Sequence, residues 1–373
     1  MALYQYQVQY GATYATMSAN TATDVQTVQF SYGRQRPLDQ YSVETANITL
    51  RYPNGYATPT ALFVTGTFIR IMGRLGISGS YSQLWVGRIS DVTVDYGIPY
   101  VGSVGNADFV NISCEGALAA FGRLQGAGYA MAADTLGVQI VNANAQTSLS
   151  AASYSGYGDE VNFPATTISG TWADWINSCA LTMNGRITDI GSGVVISNAF
   201  FKLPATFGNF SDSTNDGNNH PYTKINFSSL ADNWYTQVTV DPESFSPATV
   251  STGSAPFRTY QVNTLNASTG QATDYANYLL STYKDQSLRI MSVTCLLNAQ
   301  NGDIPRYAQG YIGSQVSVLF RGTTYQCVIE GGTWSGTVEQ STATFYLSAQ
   351  DLNNYLTLDD AIYGKLDENK LGY

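Results

Sequence analysis

Charged residues are scarce in this chain, at 12% of its 373 residues, which is about half the share usual for a globular protein. Basic residues are the scarcer kind, because 17 Lys and Arg face 27 Asp and Glu and the formal net charge is −10. A protein that grips nucleic acid neutralises phosphates with Lys and Arg. The composition therefore argues against specific DNA binding, although DNA could pass a weakly acidic surface without adhering to it.

Side chains that perform catalysis or bind metals are also few. The single histidine, His220, lies in a polar segment and is expected to be a solvated turn residue. The four cysteines are far apart and form no Cys-x-x-Cys pair, which argues against a disulfide framework or a zinc site. We predict no enzyme activity, no cofactor and no metal. We expect reduced, buried thiols at Cys114, Cys179, Cys295 and Cys327.

Glycoside hydrolysis needs two opposed carboxyl groups, and an acidic sequence always offers some pairs. Asp91 with Asp95, and Glu330 with Glu339, are such pairs. Acids in strands are more simply explained as solvated or interface residues, and we favour that interpretation. The run 212–217 superficially resembles a calcium loop, but ligands are missing at its third and twelfth positions. We expect an ordinary polar loop there.

Long apolar runs are absent as well. No stretch approaches the roughly 20 apolar residues that a membrane helix needs. The first residues contain neither a basic region nor an apolar core, as a secretory signal would. We therefore expect no direct membrane insertion and no secretory signal.

The residues that are present favour β-structure. Polarity comes mostly from Thr, Ser, Asn and Gln, with 35 Gly and 27 Tyr. β-Branched and aromatic side chains suit a pleated, half-buried surface, and Gly and Asn suit turns. Many short alternating runs predict a mainly β protein, a sandwich or barrel, with few helices. Helices are predicted at 115–124, at 172–176 after an N-cap at Thr171, and at 273–283.

Blocks of sequence from the first third recur in the last third in the same order. Residues 293–298 echo 48–54, and Gly313 with two valines echoes Gly66 with two isoleucines. A Trp-x-Gly-x-aliphatic block follows in each copy, and the three offsets are 245, 247 and 249 residues. A fourth match, 345–348 against 110–113, has an offset of 235. Such patterns also arise by chance in β-rich chains, but their shared order favours two copies of one domain. The predicted repeat positions are Gly66, Trp85, Gly87, Ile89, Gly313, Trp334, Gly336 and Val338.

The repeat leads to a predicted domain organisation. Two tandem tube-like β-barrel domains, 1–125 and 233–350, are interrupted by a small α+β insert at 126–232. The remaining residues, 351–373, form a C-terminal docking tail. An apolar stripe in that tail is predicted to contact a neighbouring subunit, and its residues are Tyr355, Leu358, Ile362 and Leu366.

The order of these elements resembles the tail-hub and minor tail proteins of long-tailed bacteriophages. The resemblance covers most of the chain, and each of its motifs is weak alone. It is carried by the strands at 84–91 and 110–114, the helix at 172–176 before 184–187, the strand at 233–240, the segment 276–293 and the ending 358–367. The first 20 residues and the segment 205–225 match nothing in this family.

The resemblance implies a structural function. Hub proteins of this family carry two tube-like domains per chain, and three chains close a ring that continues a sixfold tail tube. The implied partners are further copies of the chain, the distal tail ring, the tape measure, and tip or fibre proteins. DNA passes through such a ring without specific binding. The implied location is the tail tip of the virion, after assembly in the host cytoplasm.

Three other interpretations stay open on the sequence alone. A hexameric distal-tail ring would need only one β-domain per chain. A receptor- or glycan-binding tail protein could use exposed Tyr and Trp to stack on sugar rings. A cell-wall hydrolase would need a catalytic pair that the sequence does not single out.

Overall fold

The computed structural model describes residues 4–13, 17–19, 24–52, 63–75, 80–97, 107–147, 152–155, 162–198, 208–212, 219–229, 234–285, 288–297, 311–337 and 339–349. The helices in these residues are α1 (Ala117–Gly122), α2 (Leu136–Thr147), α3 (Trp172–Thr182) and α4 (Thr269–Tyr283). The strands are β1 (Tyr4–Gly11), β2 (Ser18–Ala19), β3 (Asp24–Gly33), β4 (Thr45–Tyr52), β5 (Phe68–Leu75), β6 (Ser82–Asp95), β7 (Asp108–Glu115), β8 (Ala130–Met131), β9 (Asp134–Thr135), β10 (Ala152–Ser155), β11 (Asn162–Phe163), β12 (Thr166–Thr167), β13 (Arg186–Asp189), β14 (Val194–Ser197), β15 (Asn209–Ser211), β16 (Asn219–Pro221), β17 (Lys224–Ser228), β18 (Gln237–Pro242), β19 (Ala248–Ser251), β20 (Thr259–Thr264), β21 (Arg289–Leu297), β22 (Gln315–Phe320), β23 (Thr323–Thr337) and β24 (Ser341–Ala349).

The protein is mainly β, as its composition predicts, and most of its strands belong to one sheet of 14 strands. Its first part runs β3-β4-β7-β6-β5-β1, and its second part runs β17-β21-β24-β23-β22-β15. Alternate residues point inward along these strands, as the buried positions of β4 and β7 illustrate. This alternation is the pattern that the sequence displays.

A single hydrophobic core lies under both parts of the large sheet. Ile48 and Ile112 from the first part belong to the same buried cluster as Val293 and Phe345 from the second. Each of these four side chains is at most 2% exposed. The two parts are therefore packed together and do not form separately buried units.

Three helices and a small sheet form a second core between the two parts of the chain. Helices α1, α2 and α3 pack with the three-stranded sheet β10-β14-β13. Helix α3 begins where predicted: the Thr171 hydroxyl accepts a hydrogen bond from the Asp174 N–H, and the Asp174 carboxylate accepts one from the Thr171 N–H. This reciprocal capping box supplies acceptors for two backbone donors at the helix start.

The segment after residue 233 departs from the predicted domain boundary. Strand β18 was expected to re-enter the second β-domain, but it pairs with β19 and β20 in a separate three-stranded sheet covered by α4. Strands β15, β16 and β17, which fall within the predicted insert, belong instead to the large sheet. Apolar alternation along β18 marks a strand, but it cannot indicate which sheet the strand joins.

Helix α2 was not predicted from the sequence, and the other helices differ from expectation at their ends. Helix α4 begins at Thr269 rather than at 273, because the Ser268 hydroxyl accepts a hydrogen bond from the Gln271 N–H and caps it there. Helix α1 is only six residues long, shorter than the predicted 115–124. Within the described residues, no helix has the length and apolarity that crossing a membrane requires.

Candidate functional site at the junction of the two parts of the large sheet

The two parts of the large sheet contain the same kind of backbone turn at a glycine, which we call a glycine corner. Gly66 and Gly313 have positive φ angles of 87° and 88°, a left-handed conformation that favours glycine. The Gly66 N–H donates to the Ile89 carbonyl at 2.7 Å, and the Gly313 N–H donates to the Ile329 carbonyl at 2.8 Å. The same backbone corner therefore precedes β5 in the first part and β22 in the second.

Strand pairing extends this correspondence along the sheet. A β-bulge separates Ile89 from Asp91 where β6 meets β7, and another separates Ile329 from Gly331 where β23 meets β24. Both bulges follow the isoleucine that bonds to its glycine corner. Residue Ile89 is thus equivalent to Ile329 in strand register.

This strand register shows that Trp85 and Trp334, which the sequence comparison matched, are not at equivalent positions. Trp85 lies opposite Ile71, and the residue at the matching place in β23 is Tyr325, opposite Val318. Trp334 lies nine residues further along β23 and corresponds to Val94. The sequence match followed a local Trp-x-Gly pattern, which strand alternation allows at several registers.

The two glycines of these patterns have different surroundings. A Cβ on Gly87 would lie 2.3 Å from the Trp85 ring, so this glycine makes room for its own neighbour. A Cβ on Gly336 would lie 2.0 Å from the Tyr6 hydroxyl, so this one makes room for β1. Val338 lies outside the described residues, as do Tyr355, Leu358, Ile362 and Leu366.

The two parts of the sheet are joined by direct pairing of β3 with β23. Their register runs antiparallel from Gly33 opposite Gly331 to Thr27 opposite Thr337. Phe30 stacks on Trp334 across this seam, with ring centroids 5.7 Å apart and planes 13° from parallel. Such aromatic pairs contribute about 0.5–1.5 kcal/mol beyond the area that they bury. We call this pairing the joined seam.

A tyrosine from β1 closes one end of the joined seam. The Trp334 indole N–H donates to the Tyr6 hydroxyl at 3.2 Å, and that hydroxyl also hydrogen-bonds Ser341. Burial raises the pKa of Tyr6 despite the hydrogen bonds from Ser341 and Trp334. The phenol thus stays neutral and ties the N-terminal strand to the second part of the sheet.

At the other end of the joined seam the backbones come unusually close. Gly33 has a φ of 70°, and a Cβ there would lie 2.2 Å from the Glu330 carbonyl oxygen. A Cβ on Gly331 would lie 2.4 Å from the Tyr32 carbonyl oxygen. Both positions therefore require glycine, and they bring the bulge of β23 against the end of β3.

Glu330 lies in this bulge and binds side chains from three parts of the chain. Its Oε2 is 2.9 Å from Arg34 Nη2, after β3, and its Oε1 is 2.8 Å from Arg186 Nη2, in β13. The Tyr41 hydroxyl donates to Oε2 at 3.3 Å, and the Ser348 hydroxyl donates to Oε1 at 2.7 Å. One buried carboxylate thus connects both parts of the large sheet and the helical middle unit. We call these five residues the Glu330 cluster.

The Glu330 carboxylate is ionised in this environment. Burial by itself would raise its pKa, but the charges of Arg186 and Arg34 and the hydrogen bonds from Ser348 and Arg186 lower it to about 2. The Arg34 guanidinium also lies 4.7 Å from the centre of the Tyr41 ring. Burial raises the pKa of Tyr41, and the nearby arginines oppose that rise only in part.

This cluster was missed by the sequence comparison. Glu330 was paired with Glu339 as a nominal catalytic pair and expected to be solvated or at an interface. It is buried and bound to two arginines, whereas Glu339 is exposed. A lone acid in an otherwise apolar, glycine-containing run was the available signal. Its partners, Arg34 and Arg186, are too distant in sequence to be inferred.

Of the other residues singled out from the sequence, some are buried and some are exposed. His220, expected to be solvated, is fully buried in β16, with its ring 6.1 Å from that of Phe210. Asp91 and Asp95 are exposed on β6. All four cysteines are free and buried, as predicted. No group of three potential metal-binding side chains is gathered anywhere in the described ranges.

Several solved structures share this fold. A 43 kDa tail protein of prophage MuSo2 from Shewanella oneidensis is similar with a TM-score of 0.58 and 12% identity, over 92% of this chain and 97% of that one. A tail protein from Neisseria meningitidis MC58 has a TM-score of 0.63 and 10% identity, over 93% and 97% of the two chains. A type VI secretion system component from E. coli, described as similar to the T4 tail proteins gp27 and gp5, has a TM-score of 0.50 and 10% identity, over 88% and 74%. Neither a family model nor a curated protein sequence matches the chain.

The likeness covers nearly the whole length of the two tail proteins as well as of this chain. The resemblance to phage tail proteins that the sequence indicated is therefore confirmed at the level of the fold.

Proposed function

We propose that this chain is a structural hub protein of a phage tail tip, and that three copies close a ring of six similar β-domains. The observation that carries the proposal is the joined seam. Two parts of one chain with matching strand order are linked there edge to edge through β3 and β23. A heterologous contact joins different surfaces of equivalent units. Such a contact can repeat around an axis and form a closed ring.

Ring closure explains why the domains come in pairs. With two β-domains per chain, three chains supply the six units that match a sixfold tail tube. A hexameric ring with one domain per chain would leave the second β-domain without a place. Closure also removes free sheet edges, which otherwise invite aggregation.

The proposed partners follow from this position in the tail. One face of the ring continues the tube from the distal tail ring and tape measure, and the other receives tip or fibre proteins. The net charge of −10 suits an axial passage that DNA crosses without binding. We place the chain at the tail tip of the virion, after assembly in the host cytoplasm.

The C-terminal segment 351–373 has a separate proposed role. Tyr355, Leu358, Ile362 and Leu366 recur at spacings of three and four residues and form an apolar stripe in the sequence. We propose that this stripe docks on a neighbouring subunit of the ring. A chain ending at residue 350 should then assemble into tails less efficiently than the full chain, and unchanged assembly would contradict this role.

Electron microscopy of intact particles tests the proposed function. Three copies of the chain at the tail tip, with six similar β-domains around the axis, are the expected result. Six copies with one domain each in the ring would contradict it and indicate a distal-tail ring. Finding the chain on peripheral fibres would instead favour a receptor- or glycan-binding protein. Finding it outside the particle would contradict a structural role.

A further inference from the structure

Within the part of the chain that the structure describes, the joined seam has a counterpart at β6 and β17, whose facing edges pair with no strand. We propose that β17 of one copy pairs antiparallel with the exposed edge of β6 in a second copy of this chain, and that this open seam is the subunit interface. The proposal rests on the ring described above. It names the strands, the register and the side chains that hold neighbouring subunits together.

The exposed edge of β6 is the equivalent of the edge that β3 occupies on β23. Strand β5 pairs with β6 only as far as Arg88, and β7 takes the opposite edge from Arg88 to Asp95. Strand β22 likewise pairs with β23 only as far as Val328. Strand β3 pairs with the same edge of β23 from Gly331 to Thr337. Among the described strands, none pairs with β6 beyond Arg88 on the β5 side.

Strand β17 is the equivalent of β3. Thr27 of β3 lies opposite Thr49, and Lys224 of β17 lies opposite Thr294, at matching places in β4 and β21. Strand β3 continues onward to β23, whereas β17 pairs with β21 alone in the described part of the chain. Each chain therefore carries one strand able to donate pairing and one edge able to receive it.

The joined seam sets the register of the open seam. Thr333 lies opposite Ser31 and Ser335 opposite Gln29, so the equivalent pairs are Thr93 with Ser228 and Asp95 with Asn226 of a second copy. Pairing should begin at Thr93. Asp91 stands where the joined seam has Gly331, and the Val92 N–H already donates to the Asp91 carboxylate at 2.9 Å.

Burial distinguishes the two seams at equivalent positions. In the joined seam, Val28, Phe30 and Trp334 are at most 5% exposed. Their equivalents in the open seam, Ile225, Phe227 and Val94, are only partly buried. Tyr96, which stands where Gly336 makes room for Tyr6, is 52% exposed. The open seam thus has apolar side chains on its core face that a partner strand would cover.

The outer face of the open seam is polar and complementary in charge. Asp95 of β6 and Lys224 of β17 are both exposed, and the register places them diagonally across the seam on one face. The partner strand thus matches the edge of β6 in its apolar alternation, its hydrogen-bonding groups and its charge. This match is why we commit to a second copy rather than to a different tail protein.

Paired cysteines test the register directly. In the joined seam the Arg34 N–H donates to the Glu330 carbonyl, so Gln29 and Ser335 form a pair without hydrogen bonds between them. Such pairs have Cα atoms about 4.5 Å apart, within the range that a disulfide spans. The test variant carries Asp95→Cys and Asn226→Cys. Native thiols should not interfere, because all four are buried.

Two matched variants serve as controls. Gln29→Cys with Ser335→Cys places the same pair in the joined seam and should form a disulfide within one chain. Asp95→Cys with Ile225→Cys shifts the register by one residue, which puts the two thiols on opposite faces. We expect oxidation of the test variant to give covalent dimers and trimers and nothing larger, and the shifted variant to stay monomeric in denaturing gels.

Native mass measurement separates failure of this interface from failure of the ring. A trimer whose test variant forms no disulfide, while the control in the joined seam does, would overturn the open seam and leave the ring intact. A chain that remains monomeric by native mass at every concentration would overturn both. Covalent chains longer than three would show that the β6–β17 contact exists without closing, which contradicts the proposed ring.

Discussion

The joined seam and the open seam have the same strand arrangement but differ in the residues that line them. In the joined seam the bulge of β23 carries Glu330 and Gly331, and the equivalent places on β6 carry Ser90 and Asp91. The joined seam is sealed by a buried charge cluster, by glycines and by an aromatic stack. The open seam has polar side chains at the same end, a partly buried Ser90 and an exposed Asp91.

This difference suggests how one domain can serve two kinds of contact. A seam within a chain forms once, during folding, and a buried ion pair there stays permanently satisfied. A seam between subunits has to stay soluble until assembly, so a buried carboxylate awaiting a partner would be costly. Ser90 instead donates its hydroxyl to the Ser113 carbonyl at 3.0 Å within its own domain. The Ser90 hydroxyl therefore has a hydrogen-bond partner before a second copy binds.

The largest effect should come from breaking the Glu330 cluster, which only the joined seam has. Glu330→Gln leaves Arg34 and Arg186 without their shared carboxylate. Removing one partner of a buried ion pair typically costs about 3–5 kcal/mol of unfolding free energy. Denaturant unfolding would measure this loss. Glu339→Gln, an exposed acid nine residues away, should change the unfolding free energy by at most about 0.5 kcal/mol.

Equal losses in these two variants would contradict the assigned role of the cluster. So would a Glu330→Gln variant as stable as the original protein.

Replacing the equivalent phenylalanines should separate the two seams. Phe30→Ala removes a buried ring stacked on Trp334, and we expect a loss of about 3–4 kcal/mol in unfolding free energy. Phe227 is only partly buried, with its ring 5.1 Å from that of Phe320, so Phe227→Ala should cost the monomer less. Its main effect should be weaker self-association, measured by the concentration dependence of native mass. A reversed order of stability losses would contradict the distinction between the seams.

The dependence of stability on pH should sharpen the comparison further. The folded-state pKa of Glu330 is lowered to about 2, below the value of about 4.3 expected in an unfolded chain. Its contribution is therefore present above pH 4.3 and is lost as the pH falls toward 2. The linkage is worth up to about 3 kcal/mol.

We expect the difference in unfolding free energy between the original protein and Glu330→Gln to shrink between pH 5 and pH 2. A difference that stays constant across this range would contradict the lowered pKa.

Local features of the fold could be predicted from sequence, and their long-range placement could not. The cap at Thr171 and the alternation in β4 were readable because they depend on neighbouring residues. The recurrence of a glycine at Gly66 and Gly313 coincides with two identical backbone corners. The tryptophan match failed in register because alternation repeats every two residues and leaves several alignments equally good.

The junction itself was beyond sequence analysis for a different reason. Glu330 meets Arg34 because β23 returns to β3, 296 residues along the chain, and it meets Arg186 across a separation of 144 residues. His220 is buried because β16 lies next to β15 at the end of the large sheet, although its neighbours in sequence are polar. The pairing of β18 with β20 rather than with the large sheet likewise depends on packing against α4.

We propose that the joined seam inside each chain recurs between chains. A cryo-electron microscopy map of the assembled ring tests it most directly, because strand pairing can be followed across every domain boundary. We predict six seams around a threefold axis, three formed by β3 with β23 and three by β17 with β6 of the next copy. A ring in which β6 and β17 remain unpaired, or face a different protein, would contradict the account.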